Sequence, residues 1–308
     1  MSKIFTVFGA TGNQGGSVIN AILADPVLSK QFKLRGVTRD VSKPTAQALA
    51  AKGVEIVKAD MSSPATAAPA VENAHTVFVV TNFWESMSSD VEIAQGKAVT
   101  DASKAAGVEH IIFSSLINVS KASEGRLPHV SHFDGKAEIE EYIRKSGIPA
   151  TFVQPGVFMN GFYNFFRKQE DGSYQWAMPD GVKASEAQIP LFDPAADTGI
   201  FVKAAVKHFP ATVSTRILAA TGYYTPEQII SEFAQVTGKK VSYFEVPHAV
   251  FKSFLPAPAA QELLENMLLL QDPGYYAGAD LMPSLEMLGD DNTTSWKNFV
   301  QQSMDKWA

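Results

Sequence analysis

Along the first half of the chain, short runs of apolar and β-branched residues recur between longer stretches whose apolar residues repeat every three or four positions. The runs are IFTVFG at 4–9, FKLRGVT at 32–38, VEIVKAD at 54–60, HTVFVVT at 75–81, HIIFSS at 110–115 and ATFVQP at 150–155. Near-continuous apolar runs closed by turn residues predict strands buried on both faces. The helical patterns between them, at 14–25, 43–52, 89–106 and 132–146, predict crossover helices. Such alternation is the signature of an α/β fold, a Rossmann-type doubly wound parallel sheet with helices on both faces.

After Pro155 the alternation survives only in fragments such as RILAA at 216–220 and KVSYFEV at 240–246, set among aromatic and proline-containing stretches. The expectation is a dinucleotide-binding Rossmann core over residues 1–155 and a smaller, mostly helical C-terminal lobe over 156–308, packed on the core as one compact unit with a cleft between them. In the lobe, YTPEQIISEFAQVTG predicts a helix with Thr225 as N-cap, Pro226 in its first turn and Gly238 at its stop. The segment 260–272 and the last fourteen residues read as amphipathic helices. The Met and Leu row of the first reads as core, with a homodimer face as the other option.

Composition narrows the function classes. With 45% hydrophobic and 19% charged residues in 308, the chain can bury a full core. It has no apolar run of the length a bilayer needs, and it enters its first strand without a signal-peptide pattern. A soluble, unsecreted protein is expected, cytoplasmic and also compatible with the nucleus. The chain has no Cys, which removes disulfide and thiolate chemistry. A net charge of −6 without clustered Lys and Arg argues against direct nucleic-acid binding.

The strongest chemical signal is GATGNQGG, which follows the first strand and opens the first helix. Its glycines Gly9, Gly12 and Gly15 suit a sharp turn, a close approach to a pyrophosphate and tight packing of helix on strand. Ala10, Thr11, Asn13 and Gln14 complete that loop. Arg39, in VTRD at the end of the second strand, takes the place where an NAD site usually carries an acid, which favours NADP. Asp40 is the competing reading, and Lys43 is either a second cation for the phosphate or a solvated lysine. Asp60 and Met61 follow the third strand, and Thr81, Asn82 and Phe83 the fourth, within reach of a dinucleotide.

His132 and Lys136 lie four residues apart and share a helix face. His129 and His132 without an organised acid or Cys set make a weak metal site, and no metal is expected. The polar segment 118–135 reads either as a loop that orders around a ligand or as plain surface. The aromatic residues between Phe162 and Trp176 read as lobe packing, with the wall of an apolar substrate pocket as the alternative.

With GATGNQGGSV, VTR, VTNFWES and HFDGKAEIEEY in this order, the chain closely resembles the NmrA-like family, a branch of the atypical short-chain dehydrogenases/reductases, and in particular its NADP(H)-sensing members. The resemblance implies a Rossmann core that binds NADP(H) and acts on a protein partner according to nucleotide state. It also implies a cofactor site made by the loop Gly9 to Gln14, Arg39 to Lys43, Thr81 to Phe83, Lys136, and the VFMN stretch of Val157, Phe158, Met159 and Asn160. One departure is Ala94, where sensing members can carry a lysine three residues before the QGK lysine. In conventional short-chain dehydrogenases a Tyr-x-x-x-Lys pair donates the proton and grips the ribose. Here His132 stands in the tyrosine's place and Lys136 keeps its spacing, with Ser114 and Ser115 near the place of the accompanying serine. The expected function is an NADP(H)-binding regulator or redox sensor with little or no turnover. The alternative is an NADPH-dependent reductase of a small or aromatic carbonyl or enone, with His132 and Lys136 as its catalytic residues.

Overall fold

The computed structural model describes residues 2–307. Its strands are β1 Lys3–Val7, β2 Phe32–Thr38, β3 Glu55–Lys58, β4 Ala74–Val79, β5 His110–Ser114, β6 Ala150–Pro155, β7 Val157–Phe158, β8 Arg167–Lys168, β9 Tyr174–Pro179, β10 Ile189–Phe192, β11 Arg216–Ala219, β12 Gly222–Tyr224 and β13 Val241–Val246. Seven form one sheet in the order β3-β2-β1-β4-β5-β6-β11, every neighbouring pair parallel. The chain winds outward from β1 to β3 and then returns to the other side of β1 as β4. The connections after β1 and β4 therefore diverge and leave a crevice at the carboxyl ends of the strands.

Alternate residues of each strand feed two cores, as the pleat requires. Phe78, Ile112 and Val153 pack with Val18, Ile19 and Ile22 of the helix Asn13–Ala24 and with Phe201 and Val202 of the helix Thr198–Lys207. Val77, Val79, Ile111, Phe113 and Phe152 pack on the opposite face with Val99 of the helix Ser89–Ala105 and Ile139 of the helix Ser131–Ser146. Two glycines set the helix spacing. A Cβ on Gly96 would lie 2.5 Å from Ile139 Cγ2, and one on Gly199 would lie 2.2 Å from the Ser17 carbonyl oxygen.

The four crossover helices expected from the pattern appear as Asn13–Ala24, Pro44–Ala51, Ser89–Ala105 and Ser131–Ser146. The helix Pro64–Val71 escapes the pattern because Ala, Thr and an internal Pro69 leave it almost no bulky apolar stripe. It is started instead by a capping box between Ser63 and Thr66. The segment beyond residue 155 is divided between the two bodies. β11 and the helix Thr198–Lys207 join the core, and the rest builds a lobe with helices and two three-stranded sheets, β12-β10-β7 and β13-β9-β8.

In the lobe Thr225 caps the helix Pro226–Thr237 through Gln228, and Gly238 ends it in a left-handed conformation. Phe162, Phe166, Tyr174, Trp176, Phe233 and Trp296 are buried together, so these aromatics pack the lobe. The segment 118–135 is tied down: Asp134 Oδ1 accepts from the N–H groups of Val119 at 2.6 Å and Ser120 at 3.3 Å, and Leu127 and Val130 are buried. Among the described residues no helix is long and apolar enough to cross a membrane.

Candidate functional site: a cleft at the sheet's carboxyl edge

A cavity of about 950 Å³ opens where β1, β2, β4, β5 and β6 end, and the lobe closes its far side through Asn266, Met267 and Tyr275. Gly9, Thr11, Gly12, Asn13, Gln14, Gly15, Arg39, Lys43, Asp60, Met61, Thr81, Asn82, Phe83, His132, Lys136, Val157 and Phe158 all line it. Three residues expected there do not. Ala10 is buried in the core beneath the loop, Met159 is buried in the lobe's core, and Asn160 sits in the following 3-10 turn.

The glycine loop has the shape its spacing implies. Gly9 takes φ 66°, which favours glycine, and a Cβ on Gly15 would stand 2.2 Å from the Gly9 carbonyl oxygen. No side chain caps the helix Asn13–Ala24, and its first turn holds no acid. Its leading N–H groups thus face the cavity with the positive end of the helix dipole, a cradle suited to a pyrophosphate. Gln14 is steadied by Ser114, whose Oγ donates to its Oε1 at 2.8 Å. Ser115 is engaged elsewhere, donating to the buried carboxylate of Glu140.

At the end of β2, Arg39 is ion-paired with Glu85, from the one-turn helix Phe83–Ser86 that follows β4. That carboxylate, with Asp60 behind it, raises the guanidinium's pKa further. Asp40, the competing acid, is occupied in its own turn by Ser42 N–H at 2.9 Å and Ser42 Oγ at 2.6 Å, which hold its pKa down. Asp60 is held in the same way by Ser62. Arg39 is thus the group at this end of the cleft that fits a 2′-phosphate, with Lys43 exposed nearby.

Deeper in, Lys136 is ion-paired with Glu92 and donates to Thr81 Oγ1 at 3.1 Å and the Thr81 carbonyl at 3.4 Å. Burial lowers the lysine's pKa, and Glu92 opposes the shift. His132 does not lean on Lys136. Its Nδ1 lies 2.6 Å from Glu262 Oε1, which also accepts from the His132 backbone N–H at 2.8 Å. A carboxylate acceptor requires the proton on Nδ1, so it fixes ring tautomer and orientation. His129 meets Glu265 with the same two groups but on separate oxygens, its N–H donating to Oε2 at 2.7 Å and its Nδ1 lying 2.5 Å from Oε1. Phe83, Trp84 and Phe133 surround the His132 ring with centroids 4.8 to 5.8 Å away. Among the described residues no set of three or more His, Cys, Asp and Glu is placed to hold a metal.

The NFWES stretch puts Glu85, with Trp84, either over the nicotinamide side or as a brace of the loop, whereas nothing in the sequence singles out Glu92, Glu262 and Glu265. The one trace they leave is spacing: His129 and His132 are three apart and meet Glu265 and Glu262, also three apart, in reverse order.

Comparison with known proteins agrees with this architecture. The family model described as "NmrA-like family" matches residues 1–304. The NmrA-like family domain-containing oxidoreductase malD of Malbranchea aurantiaca is 31% identical over 256 residues, covering 78% of this chain and 75% of its own length. The nitrogen metabolite repression protein nmrA of Emericella nidulans is 28% identical over 271 residues, covering 85% and 73%. A crystal structure of NmrA, a negative transcriptional regulator, in complex with NAD superimposes with a TM-score of 0.81 at 22% identity, covering 99% of this chain and 96% of that one. Sheet order, glycine cradle and a family match over nearly the whole length lead to one conclusion: the chain belongs to the NmrA-like family.

Proposed function

We propose that this chain is an NADP(H)-binding regulator or redox sensor that acts on a protein partner and turns over little or no substrate. In this reading the glycine loop holds the pyrophosphate through helix N–H groups, Arg39 with Lys43 meets the 2′-phosphate, and Lys136 and Thr81 serve the sugars. The bound dinucleotide supplies a nicotinamide able to carry hydride.

The observation that carries the reading is the His132–Lys136 pair. A conventional short-chain dehydrogenase uses the lysine to acidify a tyrosine, but here Lys136 gives its charge to buried Glu92 and the tyrosine's place holds an imidazole tied to Glu262. Both polar groups hold helices together around the cleft: Glu92 comes from the helix Ser89–Ala105, and Glu262 from the helix Ala260–Leu268. The regulatory name of the nmrA relative supports the same reading.

The reductase reading keeps one observation in its favour. His132 lines the cavity beside the apolar Leu116, Phe158, Phe165 and Tyr275, and among the described residues nothing bonds its Nε2. The malD relative is named an oxidoreductase. The test pairs calorimetric titration with NADP⁺, NADPH, NAD⁺ and NADH with the fading of NADPH absorbance in the presence of quinones, aromatic aldehydes and enones. Binding of the phosphorylated forms without NADPH consumption above the uncatalysed rate is the expected result. Turnover that disappears in His132→Phe would establish the reductase instead.

A further inference from the structure

We infer that Glu85 is a built-in competitor of the nucleotide's 2′-phosphate, holding Arg39 until that phosphate displaces it and so reporting the phosphate to the surface segment that follows β4. The inference rests on the NADP(H)-binding reading and names the group that this nucleotide must displace.

Arg39 ends β2, and Glu85 follows β4. β2 and β4 flank β1 in the sheet, so the ion pair reaches across the carboxyl end of β1, where the glycine loop lies. Both residues line the cavity. The guanidinium is 70% exposed and the carboxylate 49%, so water screens the attraction and the pair holds weakly. A phosphate carries close to two charges and three acceptor oxygens, and it takes a guanidinium in bidentate fashion. Between these two acceptors the phosphate wins. A 2′-hydroxyl offers no such charge and leaves Glu85 in place. NAD-type and NADP-type nucleotides therefore leave this corner of the cleft in different states, whatever the oxidation state of the nicotinamide.

Glu85 is mechanically connected to what lies outside. Its one-turn helix Phe83–Ser86 stops at Met87, a non-glycine residue in the left-handed region at φ 53°. Its neighbour Trp84 is 45% exposed and packs its ring 5.1 Å from that of His132 and 5.2 Å from that of Phe83. Release of the carboxylate frees the turn that seats Trp84. Trp84 can be read separately, because Trp176, Trp296 and Trp307 are buried in the lobe.

The experiment titrates NADP⁺ and NAD⁺ into the full chain by calorimetry, with tryptophan emission followed in parallel. Variants are Glu85→Gln, Trp84→Phe to assign the emission, and Glu170→Gln as an exposed carboxylate removed from the lobe. The expected result is that Glu85→Gln tightens NADP⁺ by about 2- to 5-fold, the equivalent of an exposed ion pair, with NAD⁺ and the Glu170→Gln variant unchanged. NADP⁺ shifts the Trp84 emission of the unmodified chain, NAD⁺ does not, and Glu85→Gln shows the shifted emission before any nucleotide is added. If NADP⁺ binds and Glu85→Gln leaves its affinity unchanged or weaker, Glu85 is no competitor and the inference is overturned. If neither nucleotide binds the unmodified chain, the NADP(H) reading itself fails and the inference falls with it.

Discussion

Replacing Glu92 by Gln isolates the charge of the pair at the heart of the cleft while keeping its volume. The Glu92 side chain is fully buried and that of Lys136 only 11% exposed, so the substitution leaves an ammonium inside the protein without its counter-charge. Breaking a buried pair from one side typically costs about 3–5 kcal/mol. Two oxygens remain for the ammonium, Thr81 Oγ1 at 3.1 Å and the Thr81 carbonyl at 3.4 Å, which sets the expectation at the low end, about 3 kcal/mol. The loss depends on pH with a definite sign. Burial pushes the lysine below its ordinary 10.5 and Glu92 holds it up, so Glu92→Gln lowers it further. A lysine with a depressed folded pKa binds fewer protons folded than unfolded between the two values. Its penalty is therefore full below the folded pKa and is relieved as pH rises through that value towards 10.5. Urea unfolding followed by circular dichroism at about pH 7 and about pH 9.5 measures both terms. The gap between Glu92→Gln and the unmodified chain should narrow at the higher pH, and adding Lys136→Met should recover most of the loss. A loss below about 1 kcal/mol at both pH values, or a double variant no better than the single, would mean that water solvates the ammonium and the argument from burial is wrong.

Three further outcomes follow from other parts of the fold. Gly15→Ala places a Cβ 2.2 Å from the Gly9 carbonyl oxygen, so the loop must open and calorimetric nucleotide binding should vanish. Gly199→Ala forces the helix Thr198–Lys207 off the helix Asn13–Ala24, with contacts of 2.2 Å to the Ser17 oxygen and 2.5 Å to Ala21 Cβ. It should cost about 1–3 kcal/mol in denaturant unfolding, and no loss would mean that this helix is not part of the core. Asp197 is buried where its oxygens accept from Thr294 N–H and Oγ1, and burial, helped by Asp193, raises its pKa to about 6 from 3.8. An acid with a raised folded pKa loses stability as pH rises through that window, so Asp197→Asn should flatten the fall in stability between about pH 4 and about pH 6. An unchanged slope would place the titration elsewhere.

What could be read from sequence and what could not divide along a physical line. β5 was legible because all five of its residues are buried on a two-sided sheet, and the glycine loop because its backbone demands are local. Arg39, Thr81 and Asp60 were legible by position, since a residue just past a parallel strand reaches the crevice. β11 showed its apolar run, but its place beside β6 depends on a crossover through the lobe that no local pattern encodes. The carboxylates were hidden for another reason. A Glu in a polar-looking stretch reads as solvated by default, and Glu92 and Glu262 meet their partners across 44 and 130 residues of chain, while Glu85, flagged in NFWES, finds Arg39 46 residues away. Their positions show how the cleft works. Arg39 and Lys136 are each already paired with a carboxylate and His132 rests against another, so the cleft is not a basic funnel. On the proposed reading, a dinucleotide finds its affinity in the helix N–H groups and in whichever pair yields. Lys136–Glu92 is buried and cannot yield without stranding a charge, whereas Arg39–Glu85 is bathed in water and can. On the proposed NADP(H) reading, the cleft is accordingly divided between an inner end fixed by packing and an outer end that answers to the charge of its ligand, which is where NADP and NAD would be told apart.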